Sequence, residues 1–374
     1  MNYTLMNKER PILTFSTFKT EYGTTKAKNV KVLEPDGLPA AYDGSIIQFI
    51  ERRKAPKHRK YIRGILKQLG AEDIDGFIKV SRGASLNDTF WVRNDEEPLV
   101  WKQVSLYQND FDENIARIAF EGGSGSLSTT TPELSVDGNY AKCWIRENEQ
   151  LFLLKRGSET HGQEVFAEYY ASQLAEAFCA DSVKYDLVSH HGHLANKCGI
   201  FTSEEVGFSQ MTYHVENPQS VSVQEALAVM EKCGHGEHFR RMMVLDALIL
   251  NIDRHLGNFG LLVNNDTLKP IGMAPVFDHN RSMLFHMDDD RFMRQNMDCL
   301  IDIYPRLMGE FNINANDMLT DEIRSDLKNL SGFAFIPHEK YNWPKVRLEK
   351  YQKFMDTQID RILKREKLFI SSFE

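Results

Sequence analysis

Three polar residues crowd into the segment that follows an apolar run, namely Asp253, His255 and Asn258 in ILNIDRHLGNFGLLVN (249–264). Transfer of a phosphoryl group from ATP needs positioning and charge neutralisation more than covalent chemistry. An acidic residue must orient the acceptor hydroxyl, and oxygen ligands from an amide and a second carboxylate suit Mg²⁺. The spacing Asp-x-x-x-x-Asn from Asp253 to Asn258 is the spacing of the kinase catalytic loop. Taken alone, this spacing favours a turn that ends a helix over a catalytic loop.

Other residues follow in the order that this chemistry requires. A strand pair after the loop is expected to end at Asp278, in the position of the second metal-binding carboxylate of protein kinases. Lys155 closes an apolar strand and Glu168 lies on the next helix, as the paired strand lysine and helix glutamate of kinases do. A Gly/Ser/Thr-dense stretch (121–139) precedes both in the place of a phosphate-covering loop. The joint order favours phosphoryl transfer. The candidate phosphate contacts in this stretch are Ser128, Thr129 and Thr130.

Hydrophobic spacing predicts the elements that must position these residues. A polar connection is expected from the first hairpin to about residue 43, and mainly helical structure after about residue 300. The predicted elements are a hairpin over 2–16, helices within 45–69, a hairpin ending near Lys155, a helix over 163–178, two strands around His191 and Gly192, a helix opened by the capping box of Ser222 and Glu225, a helix over 237–251, a strand pair ending at Asp278, and a last long helix over 346–363.

The predicted fold class is α+β, with a bilobal protein-kinase-like fold. A chain of 374 residues, 42% of them hydrophobic, can bury a core large enough for two or three lobes. We expect an N-terminal accessory subdomain over 1–120, a mixed small lobe over 121–206 that carries the phosphate loop, the lysine strand and the glutamate helix, and a helical large lobe over 207–374. ATP is expected between the lobes.

Two segments of the chain carry a family resemblance. LDALILNIDRHLGNFGLLVN with MAPVFDHN resembles the catalytic and metal-binding core of the HipA-like serine/threonine kinases, the toxins of bacterial toxin–antitoxin pairs. LFLLKRG with EVFAEYYASQLAEAF resembles their lysine strand and glutamate helix. The resemblance covers about 125–310, and the first 115 residues only loosely. It implies that Asp253 is the catalytic aspartate, that Asn258 and Asp278 bind Mg²⁺, and that Lys155 contacts the phosphates of ATP.

The same resemblance implies regulation and partners. It implies a protein substrate with a Ser or Thr acceptor, a small helix-turn-helix antitoxin as partner, and toxicity when the kinase is expressed alone. It also implies autophosphorylation in the Gly/Ser/Thr-dense loop, where added negative charge would repel nucleotide. The alternative is that these hydroxyls only keep a linker soluble. The candidate acceptors are Ser124, Ser126, Ser128, Thr129, Thr130 and Thr131.

The sequence departs from the family pattern in two places. Arg254 stands where the family often has Gly after the catalytic aspartate, and D-R-H-x-x-N is similar to the catalytic loops of phosphoinositide kinases. The stretch 128–139 has neither GxGxxG nor GxxxxGK[ST]. A phosphoinositide or small-molecule kinase therefore stays open, as does a non-catalytic kinase-fold module that binds a partner through its N-terminal region. His255 is expected to hydrogen-bond to the catalytic aspartate or to phosphate, or to serve the loop structurally.

Composition and charge limit the binding partners, the cellular location and the metal sites that can be expected. The formal charge of −8 disfavours direct binding of nucleic acid, and the basic run over 51–67 is better read as a solvated helix pair. No run of 18 apolar residues predicts a membrane span, and the N-terminus has no secretory pattern, so a cytoplasmic location is expected. The five scattered cysteines form no CxxC pair and predict no disulfide. The histidines around residues 190 and 235 lack the ligand spacing of a zinc site.

Overall fold

The computed structural model describes residues 1–123, 131–136, 138–159, 162–179, 181–298, 300, 303–307 and 309–368. Of the predicted site residues, Ser128, Thr129 and Thr130 lie outside this part of the chain. The chain divides into two compact units. Unit 1 comprises 1–156, 199–209 and 262–271, and unit 2 comprises 157–198, 210–261 and 272–374. The predicted boundaries near residues 120 and 206, and the bilobal arrangement, stay predictions.

Unit 1 begins with a four-stranded antiparallel sheet of order β3-β2-β1-β4. The described residues of unit 1 also form five helices and one further hairpin. The strands are β1 (Asn2–Asn7), β2 (Arg10–Lys19), β3 (Thr25–Val32), β4 (Phe90–Asn94), β5 (Lys142–Glu147) and β6 (Gln150–Arg156). The helices are α1 (Ile46–Arg52), α2 (Ile62–Gln68), α3 (Ile74–Ser81), α4 (Trp101–Val104) and α5 (Glu113–Glu121).

Apolar faces of the sheet and of the first three helices form the core of unit 1. Leu5 and Ile12 on the strands pack in one buried cluster with Phe49, Ile65 and Phe77 on the helices. The predicted hairpin over 2–16 and the hairpin ending near Lys155 are confirmed. The expected connection up to residue 43 is wrong, because β3 occupies part of it. Only Thr25 of this strand is buried, so its sequence shows no alternation of apolar and polar residues.

Unit 2 is mainly helical. Its described residues include an antiparallel hairpin of two strands, β7 (Tyr185–His190) and β8 (His193–Gly199, whose last residue belongs to unit 1). Its helices are α6 (Gln163–Phe178), α7 (Val223–Lys232), α8 (Gly236–Ile249), α9 (Asp289–Arg294), α10 (Phe311–Asp317), α11 (Asp321–Asn329) and α12 (Lys345–Lys364). The predicted helices over 163–178, 237–251 and 346–363 are confirmed within two residues at each end.

A further sheet has three strands in the order β11-β10-β9. The chain passes from one unit to the other within each of its strands, which are β9 (Val206–Gln210), β10 (Gly260–Asn264) and β11 (Pro270–Met273). The strand predicted to reach Asp278 ends at Met273 instead. Pro275 has no backbone N–H to donate to a ladder, so pairing stops before it. Val276 then forms an isolated parallel bridge with Ser182.

The helix that leads to the candidate loop is buried on nearly all sides. In α8, Phe239, Met242, Leu245 and Leu248 are fully buried. Its last carbonyls, which have no partner inside the helix, accept hydrogen bonds from α12. Tyr351 Oη donates to the Leu248 carbonyl at 3.1 Å, and Gln358 Nε2 donates to the preceding carbonyl at 3.2 Å. These two hydrogen bonds fix the end of α8 against α12.

No helix in the described part of the chain is both long and apolar enough to span a bilayer.

Candidate active site

The candidate catalytic loop starts where α8 ends. Leu250 has a φ of 52°, a left-handed conformation that costs a non-glycine residue about 1–2 kcal/mol. The fully buried Asn251 follows, and its backbone N–H donates to the Asp246 carbonyl at 2.9 Å. Its side chain accepts from the Asp253 N–H at 3.1 Å and donates to Asp246 Oδ1 at 3.2 Å. These contacts fix the backbone of Asp253 relative to the helix.

The carboxylate of Asp253 lies between two arginines. Its Oδ1 is 2.7 Å from Nη1 of Arg306 and 3.6 Å from Nη1 of Arg281. The Asp253 side chain is 18% exposed, whereas those of Arg306 and Arg281 are 56% and 38% exposed. Exposed ion pairs contribute about 0–1 kcal/mol, so solvent or a substrate can displace these guanidiniums. The carboxylate can therefore receive a hydroxyl group.

His255 and Asn258 shape the turn after Asp253. Nδ1 of His255 accepts from the Gly257 N–H at 3.0 Å, which fits the structural role considered for this histidine. The Asn258 N–H donates to the His255 carbonyl at 2.8 Å, and Asn258 Nδ2 donates to the Asp253 carbonyl at 3.3 Å. Because Nδ2 faces that carbonyl, the amide oxygen of Asn258 points away from it.

Arg254 connects three backbone segments of the site. Its guanidinium, on a residue 2% exposed, binds both carboxylate oxygens of Asp246, with Nε to Oδ2 at 2.8 Å and Nη2 to Oδ1 at 3.0 Å. Nη1 donates to the carbonyl of Asn258 at 3.0 Å and to that of Phe277 at 2.6 Å. Nη2 also lies 3.3 Å from Nδ1 of His279. One side chain therefore holds the loop beside the segment that carries Asp278.

The Asp246–Arg254 pair is a buried ion pair. Burial raises the pKa of the Asp246 carboxyl, and the positive charge of Arg254 works against that rise. Burial disfavours the charge of Arg254 as well, but the Asp246 carboxylate raises its pKa overall. The pair is charged, because arginine keeps its proton in proteins and its guanidinium donates to both oxygens of the Asp246 carboxylate. Removal of one partner from such a pair typically costs about 3–5 kcal/mol.

Asp278 is held in an uncommon conformation. Its φ is 61°, its N–H donates to Tyr185 Oη at 3.2 Å, and its carbonyl accepts from Asn251 Nδ2 at 3.4 Å. The fully buried Glu168 on α6 accepts from the next backbone N–H, that of His279, at 2.5 Å. Burial and the nearby Glu168 carboxylate raise the pKa of Tyr185. Glu168 thus supports the backbone beside Asp278.

Five of the predicted site residues come together in unit 2. Hydrogen bonds connect the segments of Asp253, His255, Asn258, Asp278 and Glu168. Lys155 lies on β6 in unit 1, and its predicted pairing with Glu168 stays a prediction. The predicted phosphate contacts lie outside the described residues, whereas Thr131, a candidate acceptor, is 3% exposed and accepts from the Glu133 N–H at 3.1 Å.

Sequence reasoning missed the supporting residues of the site. Asp246 and Asn251 are buried, and Arg254 was noticed only as a departure from a family pattern. One signal was present in the sequence: an acidic residue in the apolar run LDALIL needs a buried partner of opposite charge. No comparable pattern in the sequence indicated that Arg281 and Arg306 contact Asp253.

The residues of the loop offer the donor atoms that Mg²⁺ prefers. The amide oxygen of Asn258 and the carboxylate of Asp278 are both hard oxygen ligands, and protein Mg²⁺ sites commonly use one or two carboxylates beside water and phosphate oxygens. Within the described residues, no three or more His, Cys, Asp and Glu side chains cluster as a metal site. One amide oxygen and one carboxylate are compatible with a metal that also binds substrate phosphates.

Comparisons with known proteins agree with this architecture. No family model and no curated protein matches the sequence. HipA of Shewanella oneidensis MR-1, solved with HipB and operator DNA of their toxin–antitoxin system, aligns with 96% of this chain and 97% of its own, at a TM-score of 0.56. The chain has the HipA fold. At 13% identity the likeness concerns the fold, and it confirms the resemblance predicted from the loop motif.

The HipA fold extends over nearly the whole chain. Because the alignment covers 96% of it, it includes most of the first 115 residues, for which the sequence resembled the family only loosely. The Helicobacter pylori proinflammatory kinase CtkA is also similar, at a TM-score of 0.44 and 18% identity, over 66% of this chain and 91% of that one.

Proposed function

We propose that the protein is an ATP- and Mg²⁺-dependent serine/threonine protein kinase of the HipA-like type. The observation that supports this most is the guanidinium of Arg254, whose Nη1 donates to the carbonyls of Asn258 and Phe277. It holds the loop of Asp253 and Asn258 beside Asp278, the second carboxylate that phosphoryl transfer needs.

In the proposed reaction, a Ser or Thr hydroxyl lies against the carboxylate of Asp253. The hydroxyl oxygen forms a bond to the γ-phosphorus of ATP, and the bond from that phosphorus to the β–γ bridging oxygen breaks. ADP leaves with the electron pair, and the hydroxyl proton passes to Asp253. Asn258 and Asp278 would hold Mg²⁺, which neutralises phosphate charge when bound. Lys155 would contact the phosphates, with Ser128, Thr129 and Thr130 in the phosphate loop.

Glu168 and His255 have supporting parts in this proposal. Glu168 accepts from the backbone N–H next to Asp278, and this contact stabilises the orientation of a metal ligand. His255 accepts from the Gly257 N–H, so one ring nitrogen serves the turn. Its proposed contribution to catalysis is therefore the loop geometry.

The regulation and partners form part of the same proposal. Autophosphorylation within 124–131 would silence the enzyme; of the candidate acceptors, Thr131 lies within the described residues and is buried. The S. oneidensis HipA was solved with HipB and DNA. By analogy we propose a small helix-turn-helix antitoxin as partner, a cytoplasmic location, and toxicity on expression alone.

Arg254 bears on the choice between protein and lipid substrates. Its place after the catalytic aspartate made a phosphoinositide kinase the runner-up. In the structure its side chain is buried against Asp246 and two backbone carbonyls. This residue thus has a structural explanation that is independent of the substrate, which leaves a protein acceptor as the preferred reading.

Incubation with radiolabelled ATP and Mg²⁺, followed by gel autoradiography and peptide mapping, tests the proposal. We expect label on the parent within 124–131 and none on Asp253→Ala. Asp360→Ala, which removes an exposed carboxylate on α12, is the matched control and should label like the parent. Equal labelling of the parent and Asp253→Ala would reject the assignment of the catalytic base. Loss of label in Asp360→Ala as well would show that folding, not chemistry, was lost.

A further inference from the structure

Two guanidiniums contact the carboxylate that is proposed as catalytic base. Asp253 contributes one negative charge, whereas Arg306 and Arg281 bring two guanidiniums to the same oxygen, at 2.7 Å and 3.6 Å. Each guanidinium has five N–H donors in a planar fork that suits carboxylates. A single carboxylate oxygen engages only part of that capacity.

The guanidiniums are placed to change partners. Arg306 is 56% exposed, and an exposed pair of this kind is weakly held. Arg281 lies three residues after Asp278, and its guanidinium carbon is 5.5 Å from the ring centroid of Phe285, which limits its freedom. When a hydroxyl takes the place beside Asp253, Arg306 can move to an anion on the incoming molecule, and Arg281 can donate to an anion from where it lies.

Further arginines lie near His286, which follows Arg281 by five residues. Burial lowers the pKa of His286, and nearby guanidiniums add to this shift. They belong to Arg291, Arg347 and Arg281. The buried Arg347 is neutralised by Asp289, with Nη1 to Oδ1 at 2.9 Å. Arg291 therefore remains as a further cation near His286, besides the two guanidiniums that contact Asp253.

We propose that Arg306 and Arg281 form an anion-binding pair that selects acceptor hydroxyls flanked by carboxylates, so that the substrate is an acidic segment of a protein. This inference rests on the proposed function and names its substrate class. The transfer is the one given above, with the hydroxyl proton passing to Asp253 and ADP leaving. During it, the carboxylates flanking the acceptor occupy the two guanidiniums.

A protein acceptor fits the surface better than an anionic lipid does. Asp288 and Asp290 are exposed at the start of α9, a few residues after Arg281. An anionic bilayer attracts clusters of basic residues and repels exposed carboxylates and an acidic chain. A short acidic segment needs only the two arginines.

The test compares acceptors of opposite charge. Rates of phosphate transfer from radiolabelled ATP are measured with dephosphorylated casein, with myelin basic protein, and with phosphatidylcholine vesicles containing phosphatidylinositol. The variants are Arg306→Gln, Arg281→Gln and the double variant. Arg365→Gln is the matched control, because Arg365 is 50% exposed and pairs with Asp317. Arg306→Lys keeps the charge and should largely keep the preference.

We expect the parent to prefer casein, and the ratio of kcat/KM for casein to that for myelin basic protein to fall about tenfold in the double variant, as for the loss of one charge-assisted hydrogen bond. Fluorescence anisotropy with labelled polyglutamate gives a second readout that needs no transfer, and its Kd should rise similarly. An unchanged ratio and Kd in the double variant, or transfer to vesicles and none to casein, would overturn the inference. Absence of any Asp253-dependent labelling in the parent would instead refute the proposed function.

Discussion

At the scale of single residues, Arg254 has the largest structural role in the site. It neutralises Asp246 and donates to two backbone carbonyls, that of Asn258 and that of Phe277. Lysine cannot reproduce this, because an ammonium group has no planar fork and no second arm. The identity of the side chain therefore matters beyond its charge.

We expect Arg254→Ala to lower the free energy of unfolding by about 3–5 kcal/mol, because it leaves Asp246 buried without its cation. A double variant, Asp246→Leu with Arg254→Met, replaces the pair by apolar groups and should recover most of that loss. It should still show a much lower kcat, because the two carbonyls lose their common donor. Urea denaturation and labelling assays measure both quantities. Parent-like kcat in the double variant would contradict the positioning role.

Asp278 offers a separate prediction, because its φ of 61° is unfavourable for a side chain. We expect Asp278→Gly to gain up to about 1 kcal/mol in the free energy of unfolding. The same change should reduce turnover by orders of magnitude, since a proposed metal ligand is lost. Thermal denaturation and the labelling assay report the two effects separately. If Asp278→Gly kept full activity, the metal assignment would be wrong.

At the scale of elements, helix starts are set by side chains that cap them. Asp73 begins α3, where its Oδ1 accepts from the Gly76 N–H at 2.8 Å and its Oδ2 lies 2.5 Å from Lys19 Nζ. The contact with Lys19, followed by that with Gly76, lowers the pKa of Asp73 below 3.8. This stabilisation is therefore present above pH 3.8 and is lost as the pH falls through the lowered pKa.

We expect Asp73→Ala to cost about 1 kcal/mol at neutral pH, as the loss of a cap does. The difference in stability between parent and variant should shrink as the pH falls below 3.8. Asp73→Asn keeps a capping oxygen and should lose less, with no corresponding pH dependence from this position. Urea denaturation at several pH values measures this, and a difference that grows in acid would contradict the prediction.

The elements also show what a sequence can predict. Helices α6, α8 and α12 repeat apolar residues at helical spacing, and the hairpins alternate around turn residues, so their predictions hold. The solvated β3 has no such pattern. In the site, the spacing of Asp253 and Asn258 is local and could be read directly. The Arg306–Asp253 contact joins residues 53 positions apart, which only the tertiary fold brings together.

At the scale of the whole molecule, the fold of HipA persists at 13% identity. A shared fold does not establish a shared activity, because function depends on the residues of the site. What distinguishes a kinase from a binding module with this fold is a nucleotide response that depends on those residues.

Ligand binding provides such a response, since any ligand that binds only the folded protein raises its stability. At a concentration of about 100 times Kd the gain is about 2.7 kcal/mol. We expect ATP with Mg²⁺ to raise the unfolding temperature more than ATP alone. In Asp278→Ala and Asn258→Ala the shift from ATP should remain and the increment from Mg²⁺ should vanish, whereas Asp360→Ala should respond like the parent. A full Mg²⁺ increment in both site variants would place the metal elsewhere. A shift without labelling activity would favour the binding module.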